Sequence, residues 1–143
     1  MRKSKARHGT VRCFDPAIRD HIEKQLQVYA DHTAAIYGGT AEVDYIRGTQ
    51  AVINGLESAQ LVQEVAIEAF SKDSIYDEKP TMGGEDFSFY LDEVPGSFAL
   101  VGSGNAEKDT QWAHHHGKFN VDEDAMATGA ELYAQYAWSF LTK

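Results

Sequence analysis

What most constrains this chain is a long apolar stripe of helical period held between two β-type runs. Ile18, Ile22, Leu26, Tyr29, Thr33 and Ile36 recur at three- and four-residue spacing, the pattern of a helix with one covered face. Asp15 stands before Pro16, a side-chain cap followed by a residue whose missing N–H costs nothing at a helix start. Gly38-Gly39 ends the pattern. "HGTVRCF" (8–14) is β-branched and aromatic, and "TAEVDYIRG" (40–48) alternates apolar with polar. Both are predicted as strands. Strand–helix–strand with one apolar face per element is half of an α+β sandwich, and two strands are marginal alone.

Beyond a break near "TQAVINGLES", a second helix is predicted from Glu57, with Leu61, Val62, Val65, Ala66, Ala69 and Phe70 as its stripe. Residues 71–84 read as a polar connection. Residues 85–94 read as a short helix stopped by Pro95-Gly96, and "SFALVGSG" (97–104) as a buried strand. Asn120 and Glu123 resemble a capping box for a last helix, with Asp122 and Glu123 as capping residues. That helix is expected to bury Gly129, Leu132, Tyr133, Tyr136, Ala137, Phe140 and Leu141. The expected class is α/β with α+β: residues 1–53 as a strand–helix–strand unit, residues 55–143 alternating helix and strand.

Charge and cysteine content narrow the partners and the compartment. The net charge of −9 excludes a nucleic-acid binder, which needs a basic footprint, and disfavours anionic membrane surfaces. No apolar run approaches the ~18 residues of a membrane span. The basic start "MRKSKARH" has no apolar region after it and does not read as a secretory signal. The single cysteine, Cys13, allows no internal disulfide, which fits a reducing, cytoplasmic setting. In its strand-like run it reads as a small buried apolar side chain.

Three stretches could carry chemistry. "HHHGKF" places His114, His115 and His116 on a loop between a glycine-ended run and a helix. One or two of them could share a metal, since adjacent side chains diverge. A solvated loop fits the spacing as well. "TMGGEDF" (81–87) sets Gly83 and Gly84, which permit close approach of a ligand, before Glu85 and Asp86 in a helix's first turn. Two acidic residues at a helix start are also ordinary helix design. "YIRGTQAVIN" (45–54) holds Arg47 and Asn54, and an arginine there could grip a carboxylate or simply be a surface residue.

Taken in order, these stretches resemble the second half of the metal-dependent amidohydrolases and metallopeptidases. That family includes hippurate hydrolase, auxin–amino-acid-conjugate hydrolases, N-acyl-amino-acid deacylases and, more distantly, carboxypeptidase G and aminoacylase. "GTVRCFDPAIRDHIE", "AEVDYIRGTQAVIN", "TMGGEDFSFYLDEVPGSFALVGSGN" and "AHHHGKFNVDEDAMATGAELYA" carry the resemblance, which runs from about Gly9 to Leu141. It implies the second half of an inserted lid or dimerisation domain, then the C-terminal part of an α/β zinc-peptidase-like catalytic domain.

The family's last metal ligand is the histidine four residues before an aromatic. Here that aromatic is Phe119, so the resemblance implies His115 as ligand, with His114 and His116 in supporting positions. Gly83, Gly84, Glu85, Arg47 and Asn54 would meet substrate. The chain departs from the family in having Gln50-Ala51 where paired prolines are usual.

The implied reaction is hydrolysis of N-acyl amino acids or small peptides with a divalent cation: zinc, manganese, nickel or cobalt. The family's remaining ligands and its general base fall ahead of the first strand, where only eight residues stand. The chain by itself is therefore expected to be inactive. The alternative expectation is a structural fragment that self-associates through the edges of its lid strands.

Overall fold

A computed structural model describes residues 5–143. The first half of the basic start, residues 1–4, lies outside them. Four helices follow in order: α1 (Pro16–Ile36), α2 (Leu56–Phe70), α3 (Ser88–Glu93) and α4 (Asp124–Thr142), with short 3-10 turns at Lys72–Ser74 and Ala106–Lys108. The chain divides into two compact units. The first comprises residues up to Val52 together with Pro80–Tyr90. The second comprises Ile53–Lys79 and Leu91–Lys143.

In the first unit, α1 begins as its sequence dictates. The Asp15 carboxylate accepts the Ala17 N–H at 2.7 Å and the Ile18 N–H at 3.3 Å, and Pro16 occupies the first turn. At the other end Gly38 takes φ +64, a left-handed turn, and Gly39 N–H closes on the Ala34 carbonyl at 2.9 Å. The stripe of α1 is largely uncovered: Ile18, Leu26, Tyr29 and Ile36 are exposed and no residue of the helix is buried.

The second unit holds the core. Leu61, Val65 and Ala66 of α2 are its buried apolar side chains, and α2 packs against α4. Asn54 ties the entry of α2 to a distant segment. Its side-chain amide donates to the Phe98 carbonyl at 3.1 Å, while its oxygen accepts the Phe98 N–H at 2.8 Å. The Gly55 N–H donates to the Gly96 carbonyl at 2.9 Å beside it. A Cβ at 55 would meet that carbonyl oxygen at 3.4 Å, in van der Waals contact.

Four sequence expectations are corrected. Among the described residues no β-ladder forms over 8–14, 40–48 or 97–104. The α+β and α/β layers expected from those runs are therefore absent as sheets. A strand is defined by hydrogen bonds to a neighbour, and these runs have none to pair with. Their alternation survives as burial: Ala41, Val43 and Tyr45 are half-buried while Glu42, Asp44 and Ile46 are exposed. Leu100 and Val101 are exposed rather than buried, since no second layer covers them.

The last helix starts at Asp124, and no side chain of Glu123 caps it. Asp122 instead accepts the Asp124 N–H at 3.2 Å and is shared with tertiary partners. That helix covers Gly129, Leu132 and Tyr136 only partly, and leaves Tyr133, Ala137, Phe140 and Leu141 exposed, because α2 supplies cover on one side alone.

Candidate functional site

The histidine loop is built from two successive turns in the second unit. His116 N–H donates to the Ala113 carbonyl at 3.1 Å, and Phe119 N–H to the His116 carbonyl at 2.9 Å. His115 sits between them at φ +65. This left-handed conformation costs a non-glycine residue on the order of 1–2 kcal/mol. It separates the three side chains.

His114 lies edge-on to Phe119, with ring centroids 4.8 Å apart and planes at 77°. His116 stacks on Trp112 at 4.5 Å and 10°. Its Nδ1 accepts the Lys118 N–H at 3.1 Å, which places the proton of the neutral ring on Nε2. Trp112 donates its indole N–H to Asp109 at 2.9 Å, and the Lys118 ammonium stands 4.8 Å from its ring. Among the described residues no hydrogen bond, ion pair or ring contact engages the side chain of His115, which is exposed at the crest of the turn. Of the three imidazoles it is the one without a side-chain contact, while His114 keeps both ring nitrogens unbonded and His116 keeps Nε2.

A polar network clamps the two ends of this loop. Thr110, buried, receives the Asn105 N–H at 2.9 Å on its hydroxyl, and the Asp122 N–H donates to the Ser103 carbonyl at 2.9 Å. Asn105 donates to Asp122 at 2.7 Å, while Lys108 bridges Asp122 at 2.6 Å and Asp124 at 2.5 Å. The Lys108 ammonium and then the Asn105 amide hold the Asp122 carboxyl down to about 2. The same contacts with Asp122 and Asp124 push the Lys108 ammonium upward. Both carboxylates thus share the Lys108 ammonium and serve to hold the loop.

The other candidates lie in the first unit, except Asn54. Arg47 is engaged by α1: its guanidinium donates to Asp20 at 2.6 Å and to Glu23 through both Nε, at 2.9 Å, and Nη2. Glu23 first and Asp20 second raise its pKa. Gly84 backs onto the Arg12 guanidinium, which a Cβ at 84 would approach to 2.8 Å. Glu85 precedes α3 rather than entering it. Its carboxylate accepts the Phe87 N–H at 3.1 Å and its carbonyl accepts the hydroxyl of buried Ser88 at 3.0 Å. Gly83 is exposed beside it. Gly83, Gly84, Glu85 and Arg47 therefore belong to one unit, and Asn54 and the histidines to the other.

The sequence reading passes over Trp112, Lys108 and Thr110. The placement of Trp112 four residues before His116, with Lys118 two residues beyond, is the signal that could have found the first of them.

A model of the peptidase family M20/M25/M40 matches residues 5–139. The chain belongs to this family. It is 33% identical over 118 residues to N-acetyl-L-cysteine deacetylase of Bacillus subtilis, covering 82% of this chain and 27% of that one. It is 29% identical over 135 residues to thermostable carboxypeptidase 2 of Saccharolobus solfataricus, covering 94% and 34%. With the IAA-amino acid hydrolase ILR1-like 4 of Arabidopsis thaliana it shares 28% over 137 residues, covering 93% and 31%. A crystal structure from methicillin resistant Staphylococcus aureus superposes with a TM-score of 0.66 at 27% identity, over 87% of this chain and 32% of that one. The M20 chain spans about a third of the length of the relatives it matches.

The family's divalent metal does not fit the described residues alone. They gather no group of three His, Cys, Asp or Glu side chains that could hold an ion. His115 is a single imidazole where three or four donors are needed.

Proposed function

We propose that this chain is a segment of a metal-dependent amidohydrolase that cleaves the amide bond of N-acyl amino acids or related small peptides. The observation that carries this is the family match across residues 5–139, which includes the histidine loop. The names of the relatives support it: a deacetylase of an N-acetyl amino acid, a hydrolase of an amino-acid conjugate and a carboxypeptidase all cut an amide beside an amino acid.

In this reading residues 1–53 are the second half of the lid or dimerisation domain, and residues 55–143 the C-terminal part of the α/β catalytic domain. The runs 8–14, 40–48 and 97–104 would pair as strands with segments in the two thirds of the family's length that this chain does not span. His115 is one ligand of the divalent cation, and His114 and His116 fix the turn that presents it. Gly83, Gly84 and Glu85 meet substrate. Arg47 and Asn54 can join them only by leaving the partners they hold here, so we assign them a secondary share.

Purified chain supplied with zinc or manganese is expected to leave N-acetyl amino acids and hippurate uncut. The same residues grafted into a full-length relative are expected to restore hydrolysis, and His115→Ala in that graft to abolish it. Turnover by the chain alone would overturn the incomplete-site reading. An inert but folded graft would overturn the hydrolase reading.

A second reading, an inactive fragment that self-associates through the edges of its lid strands, is favoured by exposure. A folded protein of 15.9 kDa exposes roughly 7,400 Å², and two separate bodies of that total mass about 8,900 Å². This chain exposes 12267 Å². A clean monomer on sizing chromatography would sink that reading.

A further inference from the structure

Asn54 is the one asparagine of this sequence that a glycine follows; Asn105 precedes an alanine and Asn120 a valine. The side-chain amide of an asparagine can be attacked by the backbone nitrogen of the next residue. Glycine puts no Cβ beside that nitrogen and lets the backbone turn into the attacking geometry, so the Asn-Gly pair is the most reactive of the three. Asn54 is exposed, and the water that the reaction consumes can reach it.

Three hydrogen bonds stand against the attack. The Gly55 N–H donates to the Gly96 carbonyl at 2.9 Å, which holds the proton that the nitrogen must lose to become a nucleophile. The Asn54 amide is gripped at both ends by the Phe98 peptide unit, donating at 3.1 Å and accepting at 2.8 Å. Its carbonyl carbon cannot swing to the Gly55 nitrogen without breaking both bonds. The same clamp fixes the entry of α2, whose N-cap is Gly55 and whose Leu61, Val65 and Ala66 are buried in the second unit.

We infer that Asn54–Gly55 is a self-modification site, which the folded chain keeps shut and which opening of the clamp between Asn54 and Phe98 releases. On opening, the Gly55 nitrogen gives up its proton and bonds to Asn54 Cγ. The Cγ–Nδ2 bond breaks, and the amide nitrogen leaves with that proton as ammonia. One water then opens the five-membered imide at either carbonyl and leaves aspartate or isoaspartate at position 54, with nothing oxidised or reduced. Either product disables the clamp. Aspartate has no N–H to give the Phe98 carbonyl and sets a carboxylate against it. Isoaspartate adds a methylene to the main chain and carries the Gly55 N–H away from the Gly96 carbonyl. The reaction thus marks a chain that has opened and hinders it from closing again.

The whole chain is incubated at mildly alkaline pH, folded in buffer and unfolded in guanidinium chloride, and the tryptic peptide 48–72 is followed by mass. Conversion of Asn54 to the acid is expected to be slower in the folded chain by at least about tenfold. Isoaspartate, read with an isoaspartyl methyltransferase, is expected among the products. Equal rates in the two states would overturn the gating by the fold, and aspartate alone would overturn the cyclic route. Gly55→Ala places a Cβ in ordinary contact, 3.4 Å from the Gly96 carbonyl oxygen, and keeps the clamp. It is expected to slow conversion in the unfolded chain by roughly tenfold, because the methyl crowds the attacking nitrogen. No slowing would overturn the part given to that nitrogen. Asn54→Asp stands for the product, and a lower unfolding midpoint with faster amide exchange at Gly55 and Phe98 is expected. An unchanged midpoint and unchanged exchange would overturn the disabling of the clamp.

Discussion

The imidazole of His116 lies flat on the indole of Trp112, 4.5 Å from centroid to centroid and 10° from parallel. That stack, with the indole bond to Asp109 and the Lys118 ammonium nearby, makes Trp112 the internal support of the histidine turn. Trp112→Ala removes all three contacts. The expected result is faster amide exchange across residues 113–119 and a loss of about 1–2 kcal/mol in unfolding free energy. Trp112→Phe keeps the ring and should recover part of both. Unchanged exchange in the alanine variant would mean that the turn stands on its own hydrogen bonds.

His115 separates backbone strain from chemistry. Its φ of +65 suits glycine better than any side chain. His115→Gly is expected to raise stability or leave it level, by up to about 1 kcal/mol, and His115→Val to lower it by about 1–2 kcal/mol. Chemical denaturation of the three proteins checks the order. A destabilised glycine variant would show that the imidazole has a structural contact in solution.

Acid should reach the Asp122 clamp late. The carboxyl is held down to about 2 by Lys108 and Asn105. A depressed folded value gives stability that is complete above the unfolded carboxyl value and fades as pH falls through the folded one. The difference in unfolding midpoint between wild type and Asp122→Asn is therefore expected to stay constant from neutral pH down to about 4, and to shrink between about 4 and 2. A difference that changes near neutrality would point to another group.

Salt should distinguish Arg47 from Asn54. The Arg47 pairs are half-exposed, so Arg47→Met is expected to lower the melting temperature only slightly, and less again in high salt. Asn54→Ala deletes a two-way bond to the Phe98 peptide unit and is expected to cost about 1–3 kcal/mol at any salt. Melting curves at low and high ionic strength distinguish the two. A salt-sensitive Asn54→Ala would contradict the assignment.

The helices were legible because their cause is local. Asp15, Pro16 and Gly38 end α1 by contacts within a few residues, and Leu61, Val65 and Ala66 mark the face of α2 by spacing alone. What failed had a distant cause. Asp122 does cap the first N–H of α4, but Glu123 does not, and Lys108, fourteen residues before Asp122, shares its carboxylate. Residues 40–48 carry the alternation of a strand, yet pairing is a property of two segments, and a sequence shows only one of them. The proposal of His115 as the ligand among three neighbours rests on the family resemblance. The left-handed turn that parts it from His114 and His116 has no mark in the residues themselves beyond the crowding of rings around it.

The two tryptophans report on the two halves of this account by their light emission. Trp112 is half-buried against an imidazole, and its emission should be quenched by that ring. Trp138 looks outward from α4 and should emit as an indole in water. Most of the chain's red-shifted fluorescence therefore comes from Trp138. A blue shift on burial of its ring would come from α4, and a change in yield without a shift would come from the histidine turn.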